Sequence, residues 1–260
     1  MSSMFCRLPM MVGGLRYRSP TALSSIRKFA NVSPSVDDIT NTQRKILGCP
    51  DYNENMVKTW EDAPIQLDGK FLKIQGHPVM EGWEHPYMAR LAEIATSRGG
   101  RVLELGFGMA ISATYIQSHY PKFKEHWIIE ANKEVAEKAR VWSKETAKSQ
   151  VEIKRGFSWD MSPQLETGSF DGILYDTYPL KYGAANKHHR DFFPEAARLL
   201  RKGGVFTYFC NEDIDVADEE KALLNSFGFD ITTEQVDVKT PEDCQYWRAK
   251  TIVAPTCIKR

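Results

Sequence analysis

The stretch RVLELGFG, residues 101–108, decides the fold. Its first five residues, Arg101–Leu105, form a short apolar run that is typical of a buried β-strand. The glycine-containing turn Gly106–Gly108 follows, and a helix over about Met109–His119 comes after it. A strand that runs through a glycine turn into a helix predicts the start of a βαβ unit.

The same alternation continues on both sides of this stretch. Upstream, residues 84–98 carry Met88, Leu91, Ala92 and Ala95 at helical spacing. Downstream, strands are predicted at 126–129, 151–154, 170–175 and 205–209, helices at 133–148, 190–201 and 216–226, and two strand-like stretches at 231–238 and 245–253. Short strands that alternate with helices predict a parallel sheet covered on both faces. We therefore expect residues 76–260 to form one α/β domain, with residues 37–75 as a polar lead-in.

The composition is that of a globular protein. The 260 residues are 42% hydrophobic and 26% charged, and no apolar run approaches the ~18 residues of a membrane-spanning helix. The five cysteines are scattered without a CxxC pair, which argues against a disulfide framework or a structural zinc site. A formal net charge of zero gives no reason to expect nucleic acid as a partner. We expect a monomer or weak homodimer with neither nucleic-acid nor membrane partners.

The first 36 residues differ from the rest of the chain. They contain five basic residues, seven serines and no acidic residue. Arg-rich, Ser-rich and acid-free composition at an N-terminus is typical of an organelle transit peptide. For residues 1–36 we predict a mitochondrial transit peptide, with a disordered tail on a cytoplasmic protein as the alternative.

Candidate functional residues lie where the predicted strands end, which is where ligands bind in open α/β sheets. Gly106 and Gly108 follow the first strand, and Glu130 ends the next strand, where a carboxylate can accept from both ribose hydroxyls. Asp176 follows the strand 170–175. A dinucleotide fingerprint requires a third small residue where this chain has Ile111, which disfavours a dehydrogenase. A cofactor with adenosine and no phosphate, S-adenosyl-L-methionine, fits better.

Several longer blocks resemble guanidinoacetate N-methyltransferase. The chain reads GHPVMEGWEHPYM at 76–88, GGRVLELGFGMAI at 99–111, EHWIIEAN at 125–132, FDGILYDTYPL at 170–180 and RLLRKGGVFTY at 198–208. The resemblance covers roughly residues 72–210, and its first and fourth blocks are far more specific than a generic methyltransferase motif. It implies a class I methyltransferase, a Rossmann-like three-layer α/β fold with a seven-stranded, mostly parallel sheet whose last strand is antiparallel.

The resemblance also implies the site residues. Glu84 and Asp176 would hold the guanidine, with Trp60 also contacting the substrate. The residues that would contact the cofactor are Trp60, Met80, Met88, Gly106, Phe107, Gly108, Met109, Ala110, Ile111, Glu130, Ala131, Asn132, Phe157 and Ser158. Relatives have a tryptophan where this chain has Ser158, and we expect the neighbouring Trp159 to substitute for it.

Elementary chemistry supports the acidic pair. A guanidinium stays protonated, with a pKa above ~12, and its delocalised lone pairs make it a poor nucleophile. Its planar fork of N–H donors matches carboxylates, which can orient one nitrogen and accept the proton that methyl transfer releases. Glu84 and Asp176 are therefore predicted to converge although they are 92 positions apart in the chain.

The segment after the last parallel strand departs from the family. Relatives have a neutral Leu-Thr pair whose backbone meets the substrate carboxylate, whereas this chain has Glu212 and Asp213. Guanidinoacetate, methylated to creatine, is the first expected substrate. Arginine, agmatine or taurocyamine, or a non-catalytic cofactor-binding protein, are the alternatives.

Two further expectations concern residues outside this pair. His188 and His189 are adjacent in a loop and are interpreted as solvated, since two metal ligands on a helix would stand four positions apart. Methyl transfer needs no metal, and we expect none.

Overall fold

The computed structural model describes residues 54–180 and 187–260, with side chains from Met56 onward. The predicted transit peptide, residues 1–36, lies outside the described residues. Within the two described ranges, no helix combines the length and apolar composition needed to cross a lipid bilayer.

A seven-stranded sheet forms the middle layer. Its strands are β4 (Arg101–Leu105), β5 (Glu125–Glu130), β6 (Gln150–Arg155), β7 (Phe170–Tyr175), β8 (Leu200–Tyr208), β9 (Phe229–Asp237) and β10 (Thr251–Lys259). Their order is β6-β5-β4-β7-β8-β10-β9; the pairs from β6 to β8 are parallel, and β10 runs antiparallel to both β8 and β9. This confirms the predicted sheet with an antiparallel last strand. Strand order reverses between β4 and β7, where a ligand crevice is expected.

Helices cover both faces of this sheet. They are α1 (Glu54–Trp60), α2 (His85–Thr96), α3 (Ile111–Ser118), α4 (Lys133–Glu145), α5 (Ser158–Met161), α6 (Phe193–Leu199) and α7 (Asp218–Ser226). Side chains of α2, α3 and α4 belong to one buried apolar cluster, and those of α6 and α7 to a second. Two cores divided by one sheet are the three layers that the sequence predicts.

The helix before the first parallel strand forms for local reasons. Pro86 stands in its first turn, where a missing N–H costs nothing. Met88, Leu91, Ala92 and Ala95 are all fully buried, so the apolar stripe read from the sequence faces the core. This helix packs against the sheet and holds its own N-terminus over the strand ends.

A small antiparallel sheet precedes that helix, built from β1 (Ile65–Leu67), β2 (Phe71–Ile74) and β3 (His77–Glu81). The turn between β2 and β3 contains Gln75 and Gly76, both at positive φ. The boundary predicted between residues 75 and 76 thus falls inside a hairpin, and strand pairing joins the lead-in to the rest of the domain.

The end of the chain differs from the prediction. The last strand was predicted at 245–253, whereas β10 spans Thr251–Lys259. Residues 245–250 belong to a connection that turns back over the sheet, closed where the Val238 N–H donates to the Lys250 carbonyl at 2.8 Å. The prediction was wrong because Cys244 and Trp247 are buried in the apolar core without pairing to a strand.

Candidate active site

One crevice collects the ends of three neighbouring strands. Leu105 of β4 is paired with Ile129 of β5 and with Tyr175 of β7. The residues that follow these three, Gly106, Glu130 and Asp176, therefore emerge side by side, and all three line the same cavity.

The glycine turn allows the backbones of β4 and β7 to approach closely. Gly106 has a φ of +90°, and a Cβ there would lie 1.9 Å from the carbonyl oxygen of Asp176. A Cβ at Gly108 would lie 2.9 Å from the Met80 sulfur. Any larger residue at 106 would push apart the two strand ends that form the site.

Glu130 forms the floor of the cavity between β4 and β5. Its carboxylate accepts from the Phe107 N–H at 2.9 Å and from the Asn132 N–H at 2.8 Å, one on each oxygen. Burial raises its pKa while these backbone donors lower it. The backbone N–H groups of Gly108 and Ala131 also favour the charged form. Because the carboxylate lines the cavity, it can accept from a pair of vicinal hydroxyls there.

Glu84 reaches the cavity from the opposite side. It ends a short 3-10 helix, Gly82–Glu84, and is 2% exposed. Its Oε1 accepts from the Glu81 N–H at 2.8 Å and from the Tyr246 hydroxyl at 2.6 Å. No Lys, Arg or His of the described chain forms a salt bridge with it, so it is not a surface ion pair.

Asp176 lines the same cavity. Its backbone N–H donates to the Leu105 carbonyl at 2.9 Å, which fixes its position, and its side chain accepts no hydrogen bond within the described residues. The whole acceptor capacity of this carboxylate is available to a ligand.

Both acids have raised pKa values. Burial, and then the negative charge of Asp176, raise the pKa of Glu84 to about 8. Burial, and then the charge of Glu104, raise the pKa of Asp176 to about 7. Two carboxyl groups that share a largely desolvated site cannot both ionise without a cost in free energy, so the pair favours a cationic ligand.

Aromatic rings build the remaining walls. Trp60 stacks on Tyr178 with ring centroids 4.8 Å apart, and Phe157 stacks on Trp159 at 4.4 Å. All four rings line the cavity, as does Ser158. Trp159 lines the wall beside Ser158, and its substitution for the relatives' tryptophan stays a prediction. Of the lining residues in the described part of the chain, none is a lysine or an arginine.

The structure brings most of the predicted site residues together. Those that line the cavity are Trp60, Met80, Glu84, Gly106, Gly108, Glu130, Ala131, Phe157, Ser158 and Asp176. Those that support it without lining it are Met88, Phe107, Met109, Ala110, Ile111 and Asn132. Met88 is a fully buried core residue, and the Met109 N–H donates to the sulfur of Met80 at 3.4 Å.

Asn132 is one of these supporting residues, and it ties the lead-in to the site. Its side-chain oxygen caps α4 by accepting from the Glu134 and Val135 N–H groups. Its side-chain N–H₂ donates to the carbonyls of Trp60 at 2.8 Å and Ala63 at 2.9 Å. Asn132 therefore holds Trp60 over the cavity.

The interpretation of the histidine pair as solvated was wrong. His189 is 1% exposed, stacks on Tyr208 and shares a 3.0 Å hydrogen bond with Glu220. His188 lines the cavity, and its Nε2 lies 2.7 Å from the Thr177 carbonyl. Burial lowers the pKa of His188 to about 3, so it adds no positive charge to the site.

Sequence reasoning missed the lining residues Asn211, Gln245 and Tyr246. No local signal marks Gln245 and Tyr246, because they reach the cavity only through the folding back of residues 239–250, whereas Asn211 follows the end of β8. Across the described residues, His, Cys, Asp and Glu side chains form no group of three that could hold a metal ion.

The sheet order, the glycine turn and the strand-end carboxylate are those of the class I methyltransferase fold, whose cofactor is S-adenosylmethionine. The residues fit this cofactor, since the Glu130 carboxylate lines the cavity where it can accept from a ribose and stacked aromatic rings provide a surface for adenine. The guanidinoacetate N-methyltransferase family profile matches residues 51–260, and the chain belongs to this family.

Curated proteins that are similar in sequence to this chain have a name that differs from that of the family. Protein arginine N-methyltransferase 2 from Aspergillus oryzae is 31% identical over 242 residues, 85% of this chain and 56% of that protein. Its counterpart from Saccharomyces cerevisiae is 28% identical over 227 residues, 82% of this chain and 48% of that one. The chain spans about half the length of these curated relatives. Spermidine synthase from Thermotoga maritima shares the fold, with a TM-score of 0.52 and 13% identity over 76% of this chain and 72% of its own.

Proposed function

We propose that this protein transfers a methyl group from S-adenosylmethionine to a nitrogen of a small guanidino compound. The observation that carries the proposal is the convergence of Glu84 and Asp176 on one cavity whose described lining contains no lysine or arginine. The raised pKa values mean that ionising both carboxyl groups costs free energy in the ligand-free protein. A bound guanidinium would supply the positive charge that stabilises the two carboxylates.

The proposed roles follow from the chemistry of the guanidinium. Bound S-adenosylmethionine supplies an electrophilic methyl group. The two carboxylates accept the planar N–H donors, fix one nitrogen toward that methyl group and exclude other orientations. The nitrogen gains the methyl carbon and loses a proton, and the free carboxylate of Asp176 accepts this proton. Burial raises the proton affinity of Asp176, which makes it a stronger base than an ordinary aspartate.

Guanidinoacetate, converted to creatine, is the first candidate substrate because the family profile carries that name. A second candidate is a guanidine whose far end is neutral or cationic, such as arginine within a peptide or agmatine. The absence of lysine and arginine from the described lining supports it, as do Glu212 and Asp213 directly after the lining residue Asn211. The relatives named for arginine methylation support it as well.

A methyl-transfer screen tests the proposal. Purified protein is incubated with S-adenosylmethionine labelled in its methyl group and, separately, with guanidinoacetate, arginine, agmatine, taurocyamine and an arginine-containing peptide. We expect a labelled N-methylguanidine with at least one of these and a rate lower by at least ~10²-fold with the Asp176→Asn protein. Binding of S-adenosylhomocysteine without transfer to any guanidine would identify a non-catalytic cofactor-binding protein and refute the proposal.

A further inference from the structure

We propose that Tyr246 is a positioning residue that acts through Glu84, a role that rests on the proposed function. Its hydroxyl holds one oxygen of Glu84 and leaves the other oxygen to the substrate. The residue comes from the connection 239–250, which is distant in sequence from both acids and contacts Glu84 through the fold.

The two hydrogen bonds to Glu84 fall on the same atom. The Glu81 N–H and the Tyr246 hydroxyl both donate to Oε1, at 2.8 and 2.6 Å. Within the described chain, no donor reaches Oε2. Because Glu84 is 2% exposed and lines the cavity, Oε2 is the oxygen left for a ligand. A carboxylate pinned at one oxygen cannot rotate freely, so the direction of the other is fixed.

Tyr246 is itself held in place. Its ring packs against Trp83 with centroids 5.7 Å apart, and the Trp83 indole N–H donates to Glu81 at 2.8 Å. On the other side, its neighbours Cys244 and Trp247 are buried. The hydroxyl therefore meets Glu84 at a set position.

The groups around Glu84 determine the direction in which its pKa moves when the Tyr246 hydroxyl is removed. The titratable groups that face it are Asp176 at the end of β7, Glu81 at the end of β3, Tyr87 on α2 and Tyr246 itself. Among their side chains, the Tyr246 hydroxyl is the donor bonded to the carboxylate and favours its charged form. Burial and the charge of Glu84 raise the pKa of Tyr246, so it remains a donor. Its removal raises the pKa of Glu84 further.

The test compares Tyr246→Phe with the wild type. Phenylalanine keeps the ring packing against Trp83 and removes only the donor. We expect kcat/KM for the best guanidine of the screen to fall about 10- to 100-fold, as for a lost hydrogen bond to a charged group. The acidic limb of its pH profile should move to higher pH, with S-adenosylhomocysteine affinity unchanged. Tyr120→Phe, an exposed tyrosine, is the matched control.

Two further measurements separate the outcomes. In a Glu84→Gln background, Tyr246→Phe should have a smaller effect, because the two residues act as one unit. Full additivity would overturn the proposal. Carbon-13 titration of the glutamate carboxyls, with Glu84→Gln for assignment, should show Glu84 titrating at higher pH in Tyr246→Phe. An unchanged titration would also overturn it. This readout needs no activity, so a protein that methylates no guanidine refutes the proposed function while the titration still decides the role of Tyr246.

Discussion

Replacement of Asp176 by asparagine should lower the methyl-transfer activity and raise the stability of the ligand-free protein. The carboxylate accepts no hydrogen bond within the described residues, so both of its oxygens can accept hydrogen bonds from a ligand. Two charge-assisted hydrogen bonds to a guanidinium contribute about 3 to 6 kcal/mol. Asparagine loses the charge and turns donors toward the donors of the substrate. We expect kcat/KM to fall roughly 10²- to 10⁴-fold, with little change in S-adenosylhomocysteine affinity.

The ligand-free protein should become more stable. Burial raises the pKa of Asp176 from an ordinary value near 3.8 to about 7. The folded state thus holds a proton that the unfolded chain releases, and stability falls as pH rises between about 4 and 7. Because the side chain is partly exposed, the penalty at pH 8 is about 1 to 3 kcal/mol. Asparagine removes this penalty in unfolding free energy, which corresponds to a rise of roughly 2 to 10 °C in Tm.

Thermal unfolding at pH 5 and at pH 8, together with initial rates, measures both effects. The gain in Tm should be larger at pH 8 and should shrink as the pH is lowered toward 4. A variant that loses activity with a lower Tm at both pH values would show that Asp176 is a structural residue. That result would refute the reasoning.

Three other predictions follow from the geometry. Glu130→Ala should weaken S-adenosylhomocysteine binding by about 1.5 to 3 kcal/mol in calorimetry, and preferential binding of NAD would contradict the cofactor assignment. Gly106→Ala should abolish binding and destabilise the fold, because its Cβ would lie 1.9 Å from the Asp176 carbonyl oxygen. Gly203→Ala, also at positive φ but in open space, should be much milder by thermal unfolding. Residues 1–36 fused to a fluorescent reporter should direct it to mitochondria, and a diffuse cytosolic signal would show that they carry no such address.

The sequence predicts the strand-end part of the site well. Gly106 and Asp176 each follow a short apolar strand and Glu130 ends one, and parallel strands in register bring their ends to one edge. Glu84 could not be assigned to the site from its position alone, which indicates only an acid at the start of a helix. The family resemblance was needed to assign it to the substrate. Its arrival in the cavity depends on β3 and the 3-10 helix packing over the strand ends.

Residues contributed by long-range folding could not be predicted. Tyr246 sits in a stretch whose pattern suggested a strand, and it contacts Glu84 across 162 positions of chain. His189 looked solvated because it is polar and follows a strand end. Its burial is stabilised by Glu220, which lies 31 residues further on. The local sequence pattern identifies neither hydrogen-bond partner, because a buried polar group forms its hydrogen bonds with residues that are distant in sequence.

The central claim is that Glu84 and Asp176 together hold one guanidinium, and proton-linked calorimetry tests it most directly. Guanidinoacetate and agmatine are titrated at pH 7.5 into protein loaded with S-adenosylhomocysteine, in buffers that differ in ionisation enthalpy. With pKa values of about 8 and about 7, the free pair holds close to one proton, which a bound guanidinium should expel. The account predicts release of about one proton by the wild type and much less by Asp176→Asn. Guanidine binding with no proton release, or no binding of either compound, would contradict it.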